Sequence, residues 1–441
     1  MIGRKDPPMK QLKVILIGAG GRGTNYSKTM KTMPDKYKII GVADPIAEKR
    51  RVIREMFDIP EEMCFADWKE ILALPKMADV AVIATSDNLH YEPAMKAIEL
   101  GYDILLEKPV AQTVKECTDI ANAAKSKGVS VLVCHVLRYS PFFKTLKSIV
   151  ESGMIGDLIS IDLAEAIGSV HFSHSFVRGN WHSEKEATPL ILAKTCHDLD
   201  MIQWLLNKPC KKISSFGGLK HFTSANAPEG APVRCIDGNC PHAADCPYNS
   251  ERLYIEGPKG LPWKDIFKKQ VGTHPDFSDE ELREALHRTD YGLCVYHANN
   301  DMADHQVVDM EFADGLTAHL TVNAFNAGGR HIRLYGTKGE IYSFASAKAI
   351  RVFTFKDWKA YEYPVEETEE SIVGGHGGGD YGIIYDMYDY LTGTYTGNSV
   401  AEIGVSVANH LIGFAAEEAR HNDTIVFLDD YCEKHGYENL K

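Results

Sequence analysis

The stretch Val14–Ser27, VILIGAGGRGTNYS, decides how this chain is read. Four apolar residues run into Gly18-Ala-Gly20-Gly21-Arg22-Gly23, a G-x-G-x-x-G pattern, and residues of helical composition follow. A strand that passes through a glycine turn into a helix is the setting in which this pattern binds a dinucleotide. The first glycine makes the tight turn and the second lets a pyrophosphate approach the backbone. The third lets helix and strand pack closely, with the phosphates at the positive helix end. Asp44 closes the next apolar run, IIGVAD, 21 residues after Gly23. A carboxylate there takes a ribose 2′-hydroxyl and repels a 2′-phosphate, so NAD is expected rather than NADP, although a neighbouring Arg could soften the preference.

Outward from this stretch the same rhythm continues. LKVILIG, KIIGVAD, DVAVIAT, YDILLEKP and SVLVC are apolar at nearly every position, as strands buried on both faces of a parallel sheet are. Between them, 22–32, 45–57, 91–100 and 112–127 have helical spacing. Such β-α alternation predicts an N-terminal Rossmann dinucleotide-binding domain over residues 1–139.

Residues 140–441 read differently. HQVVDMEFADGLTAHLTVNAFN (305–326) holds two strand runs joined at Asp314-Gly315, a hairpin signal. Leu316, Ala318, Leu320, Val322 and Ala324 share one face; Thr317, His319, Thr321 and Asn323 share the other. HIRLYGTKGEIYSFAS repeats the plan around Lys338-Gly339. The expectation is a C-terminal α/β domain with a large, open, mostly antiparallel sheet, closed by helices near 379–391 and 399–420. A Pro- and Cys-rich insertion at about 221–300 shows little regular pattern and no apolar core of its own.

With 441 residues, two domains are the natural prior; 44% apolar and 25% charged residues are ordinary for a globular protein. A formal charge of −13 argues against nucleic acid or an anionic membrane as partner. No apolar stretch approaches the roughly 20 residues of a membrane span. The N-terminal MIGRKDPPMK has no signal-peptide pattern, and ten cysteines in such a length are no dense disulfide framework. A cytoplasmic protein is expected.

Two further stretches carry a resemblance. ATSDNLHYEPAMKAIELGYDILLEKP (84–109), with Glu107-Lys108-Pro109 ending a strand, resembles the hallmark of the Gfo/Idh/MocA oxidoreductases, and CHDLDMIQWLL (196–206) resembles their second signature. The resemblance implies an NAD-dependent dehydrogenase acting on a hydroxyl of a sugar, polyol or glycoside, assembled as a homodimer or homotetramer. Some relatives of the fold instead cleave glycosides with no net redox change, and that alternative stays open. Residue by residue, it places Thr85, Ser86, Asn88 and His90 beside the cofactor, Glu107 near the nicotinamide ribose, Lys108 at the reaction centre and Arg138 at the pocket mouth. Independently, a lysine at the carboxyl end of a parallel strand points into the crevice where ligands bind.

In LILAKTCHDLD (190–200), Lys194 and His197 lie about 60° apart on one helix face, opposite Cys196, Leu199, Ile202 and Leu206. His197 is expected to work on a substrate hydroxyl with Lys108. The family's usual Asp four residues earlier is Ala193 here, and Lys194 is added. Lys194 either forms an i,i+4 ion pair with Asp198 or contacts substrate itself. Asp304, His305, His376 and Asp380 are further polar candidates for substrate contact.

RCIDGNCPHAADCPY sets Cys235, Cys240 and Cys246 at C-x4-C-x5-C spacing. With Cys294 as a fourth ligand, and His242 and His297 in reserve, they would suit a tetrahedral structural zinc; reduced free thiols are the alternative.

Overall fold

The computed structural model describes residues 10–236, 239–257, 264–272, 278–366 and 376–438. Strands without a polar face must be covered on both sides, and the first sheet is. It contains β1 (Leu12–Ile17), β2 (Tyr37–Ala43), β3 (Cys64–Phe65), β4 (Val80–Ile83), β5 (Asp103–Leu106) and β6 (Val131–Val133). All its pairings are parallel, in the order β3-β2-β1-β4-β5-β6. The crossovers carry α1 (Gly21–Lys31), α2 (Ala47–Phe57), α3 (Trp68–Ala73), α4 (Tyr91–Leu100) and α5 (Val114–Lys127). The four expected helices form within two residues of their predicted starts. β3 and α3 are too short to show periodicity in the sequence.

The second sheet has nine strands: β7 (Leu158–Ala166), β8 (Cys210–Gly218), β9 (His305–Phe312), β10 (Thr317–Asn323), β11 (Gly329–Gly336), β12 (Gly339–Phe344), β13 (Ala349–Thr354), β14 (Lys359–Pro364) and β15 (Val426–Phe427). Its order is β14-β13-β12-β11-β7-β10-β9-β8-β15, antiparallel except where β7 meets β10. Both expected hairpins form; Asp314 and Gly315 turn the first with φ of 63° and 75°. Ala318, Leu320 and Val322 are buried, while Thr317, His319, Thr321 and Asn323 face the open side.

The chain after β6 also carries α6 (Pro141–Glu151), α7 (Ser169–Phe172), α8 (Leu190–Ala193), α9 (Cys196–Leu206), α10 (Lys264–Val271), α11 (Asp279–Arg288), α12 (Gly379–Leu391), α13 (Ile403–Asn422) and α14 (Leu428–Lys434). Two features correct the sequence reading. The insertion has its own small core, in which Leu253, Tyr254, Ile255, Leu282 and Leu286 are buried together; its apolar residues are too scattered to show as a period. And α12 returns to the first sheet, where Ile383, Ile384, Met387 and Tyr388 join the core containing Val14, Leu16 and Tyr37. The Tyr37 hydroxyl donates to the Ile384 carbonyl at 2.6 Å.

Candidate active site

The carboxyl ends of β1, β2, β4, β5 and β6 line up, which puts Gly18, Asp44, Thr85, Glu107 and Cys134 along one edge. Ligands bind at that edge in open α/β sheets. Gly18 has φ 90°, and a Cβ on it would lie 2.5 Å from the Ala84 carbonyl oxygen. A Cβ on Gly23 would lie 2.0 Å from the Gly18 oxygen. A Cβ on Gly20 or Gly21 would meet nothing within 4 Å, so the turn is open on the side from which a phosphate would come. Gly20 caps α1 without a side-chain hydrogen bond, leaving the first-turn amides to a ligand. The Asp44 carboxylate accepts from the Ala19 and Ile46 amides, both at 2.8 Å, and so fixes the turn. Each oxygen keeps a lone pair for a ribose hydroxyl. These residues fit a dinucleotide.

Arg22 departs from a simple role in cofactor binding. Its guanidinium reaches Glu107 at 2.7 Å and Asp380 at 2.7 and 2.8 Å, and donates to the Tyr26 hydroxyl. Its backbone amide, rather than its side chain, is what remains for a phosphate. Burial alone would raise the Glu107 carboxyl, but Arg22 and Lys108 hold it below the ordinary carboxylate range. Asp380, in the first turn of α12, thus buttresses the nucleotide turn; the side chain of His376, and residues 374–375, lie outside the described residues.

After β4, Thr85 is half-buried and Ser86 and Asn88 are exposed, while the Thr85 hydroxyl donates to the Leu89 carbonyl. His90 is a correction. It is fully buried, and its ring nitrogens face the Pro109 carbonyl at 2.7 Å and the Thr85 carbonyl at 3.2 Å. It braces the turn and presents nothing to a cofactor.

Lys108 follows β5, and its Nζ donates to the Ala193 carbonyl at 2.9 Å. The helix predicted across 190–206 breaks there: α8 ends at Ala193 and α9 begins at Cys196. The break frees the Ala193 carbonyl and abolishes the i,i+4 geometry expected for Lys194 and Asp198. Lys194 lies 3.3 Å from Glu165 of β7 instead. Asp198 is held by Arg330 of β11, whose Nε stands 2.8 Å from both Asp198 and Glu165. Burial lowers the Lys194 amine, with Glu165 opposing and Arg330 and Lys108 assisting. Burial raises the Asp198 carboxyl against the pull of Arg330. Neither face of α9 is exposed, so its ionisable groups are paired rather than solvated.

Arg138, expected at the pocket mouth, is instead buried in an ion pair. It is 3% exposed and bonds the Asp200 carboxylate through two nitrogens at 2.7 and 2.6 Å. Asp200 also accepts from Asn409 at 2.9 Å. This buried pair lies behind His197, whose ring meets the His135 ring edge-on with centroids 5.9 Å apart. His410 of α13 accepts the Val110 amide at 3.0 Å and so steadies the chain just beyond Lys108. Asp87 is a residue the sequence reading passed over. It is buried, accepts from the Trp181 indole at 3.4 Å, and feels the Lys108 charge, although burial raises its carboxyl overall. Its signal was present: it is one turn before His90 in the same quoted segment.

Other candidates lie apart from this centre. Asp304 is buried and accepts the Lys220 and His221 amides. His305 begins β9 as expected, but that strand is internal rather than at the sheet edge, and the ring pairs with Asp304 at 2.8 Å. Two surface clefts of about 380 and 600 Å³ are lined by other residues than Lys108, Lys194 and His197. Glu184, Glu417 and His421 converge, but Arg420 already places a cation against both carboxylates.

A doubly wound sheet with an open glycine turn, joined to a second α/β unit that supplies the residues facing Lys108, defines an oxidoreductase that binds NAD on a Rossmann fold. Residues 12–135 match the model of the NAD-binding Rossmann fold of the Gfo/Idh/MocA oxidoreductases, and 147–408 match that of their C-terminal alpha/beta domain. The chain belongs to the Gfo/Idh/MocA oxidoreductase family. The Bacillus subtilis (strain 168) oxidoreductase YteT is 26% identical over 85% of this chain and 90% of its own. The 2,7-anhydro-N-acetylneuraminate hydratase of Escherichia coli K12 is 27% identical over 46% of this chain and 52% of its own. Levoglucosan dehydrogenase, solved with NADH and levoglucosan, superposes with a TM-score of 0.68 at 18% identity, covering 95% of this chain and 100% of that one. No helix among the described residues is long and apolar enough to cross a membrane.

Proposed function

We propose that this chain transfers a hydride between NAD and a hydroxyl-bearing carbon of a sugar, polyol or glycoside. The observation that carries the reading is the 2.9 Å contact of Lys108 Nζ with the Ala193 carbonyl, because it joins the end of β5 to the break before His197. NAD, when bound, supplies the nicotinamide carbon that accepts or returns the hydride. Gly18, Gly20, Gly21, Gly23 and the Arg22 amide would hold its pyrophosphate and Asp44 a ribose hydroxyl, the carboxylate favouring NAD over NADP. Thr85, Ser86, Asn88 and Glu107 belong to the nicotinamide side.

Lys108 takes the proton of the substrate hydroxyl as the carbon is oxidised. His197 orients that hydroxyl or relays its proton. Asp87 supplies the carboxylate that Ala193 cannot, and keeps positive charge at Lys108 from standing alone. Lys194, its amine lowered by burial, contacts a second substrate oxygen. Assembly as a dimer or tetramer through the half-exposed face of the second sheet belongs to the same proposal.

The hydratase relative favours a second reading, in which the hydride is borrowed and returned. Oxidation would acidify a neighbouring C–H, and elimination and water addition would follow. Two lysines at one site suit the extra proton transfers. The test is to incubate pure protein and NAD⁺ with sugars, polyols and glycosides, following NADH absorbance and products together. NADH rising in step with an oxidised product supports a dehydrogenase. Free sugar without NADH supports the redox-neutral reading, and no turnover of any hydroxylated substrate rejects both.

A further inference from the structure

We infer that Cys235, Cys240, Cys246 and Cys294 form a tetrathiolate site for a structural divalent zinc-type cation that clamps the two arms of the insertion together.

The geometry starts from an isolated antiparallel bridge between Arg234 and Leu293. The Cys235 amide donates to the Gly292 carbonyl at 2.7 Å, and the Cys294 amide to the Val233 carbonyl at 2.9 Å. Side chains alternate along extended chain, so Arg234 and Leu293 point to one side of the bridge and Cys235 and Cys294 both point to the other. The segment carrying Cys246 is tied to the same place. Arg178, fully buried, donates to the Leu293 carbonyl at 2.7 Å and to the Tyr248 carbonyl at 2.8 Å. The Ser250 amide then donates to the Cys235 sulfur at 3.2 Å. Cys240 is folded back by a turn in which the Ala243 amide meets the Cys240 carbonyl at 3.2 Å and the Cys246 amide meets the His242 carbonyl at 2.9 Å.

The sulfurs lie within one another's fields. Burial raises the Cys246 thiol, and Cys235 and Cys240 add to it; burial raises Cys294, and Cys235 and Cys246 add to that. Arg178 opposes in both cases. An amide that donates to one sulfur, and a buried guanidinium that ties the Leu293 and Tyr248 carbonyls beside two others, are the surroundings a thiolate-bound cation uses. All four are half-buried free thiols rather than disulfides. Among the described residues, the group of metal-capable atoms lying within 4.8 Å of one another is Glu184, Glu417 and His421, so the four sulfurs must close inward on binding. Bonds of about 2.3 Å to a tetrahedral zinc set that closure. The balance is simple: four thiols bind one divalent cation and release four protons, with no change of oxidation state.

The insertion gains most from such a staple. Its own core is small, and it lies against the helical segment after β7 through Phe267, whose ring stacks on His174 at 4.2 Å and tilts against His171. The experiment is elemental analysis of full-length protein purified under reducing conditions without chelator. About one zinc per chain is expected, and Cys235→Ser or Cys294→Ser should lose it. If those variants fail to fold, the wild-type chain stripped by chelator and titrated with Co²⁺ should give the intense visible absorption of a tetrahedral thiolate complex. Absence of zinc together with a featureless cobalt titration overturns the inference. So does zinc retained in both serine variants, or a disulfide among the four cysteines.

Discussion

Lys108 shows how a single side chain acquires a task from its surroundings. Its amine reaches a carbonyl that is unspent only because the helix breaks at Lys194, and Asp87 faces it from the turn after β4. Replacing Lys108 with Ala removes the proposed proton acceptor but leaves the glycine turn and Asp44 in place. Turnover should fall by about 10²–10⁴-fold, the range of a lost general acid–base group. NAD affinity, read by fluorescence titration, should change less than about threefold on the same reasoning. A variant that turns over normally would remove Lys108 from the chemistry. The place of Lys108 just past a strand end was legible in the sequence, because the apolar run of β5 stops at Leu106. The partners of Lys194 and Asp198 were not, because Glu165 and Arg330 come from strands distant in the chain.

At the scale of elements, the turn between β1 and α1 separates folding from binding within four residues. A Cβ at Gly23 would strike the Gly18 carbonyl, whereas one at Gly20 would enter open space at an ordinary φ of −67°. Gly23→Ala should therefore lower thermal stability and NAD binding together. Gly20→Ala should leave the melting temperature within about 2 °C, a surface-type change, yet weaken NAD binding at least tenfold by blocking the phosphate's approach. Calorimetry with NAD titration on both variants checks the pair, and equal melting shifts would contradict it. Strands and helices of this half were legible because their periods are long and unbroken. The break between α8 and α9 was not, since LILAKTCHDLD carries neither Gly nor Pro to mark it. The burial of Arg138 was likewise hidden, because only Asp200, 62 residues away, makes it tolerable.

Across the whole molecule, buried imidazoles set the response to acid. Burial holds His135 and His174 at about 4 and His410 at about 3, well below a free histidine. Because these folded values are depressed, their contribution is complete above about pH 6.5 and is lost as the pH falls toward 4. Between pH 7 and 5 each should cost about 2 kcal/mol. Asp198 and Glu184, which burial raises, act in the opposite sense and offset part of this. The net expectation is a loss of a few kcal/mol, seen as a falling melting temperature in a pH series. A flat series from pH 7 to 5 would show that the imidazoles are solvated.

The return of α12 to the first sheet also sets an order of events during synthesis. Ile383, Ile384, Met387 and Tyr388 cover apolar surface made by Val14, Leu16 and Tyr37 more than three hundred residues earlier. At about 5–20 residues per second, that surface waits about 20–75 s for its cover. The nucleotide-binding half is therefore a client for holding factors while the ribosome finishes the chain. A nascent chain stalled before Gly379 should bind such factors more strongly than one stalled after the end of α12.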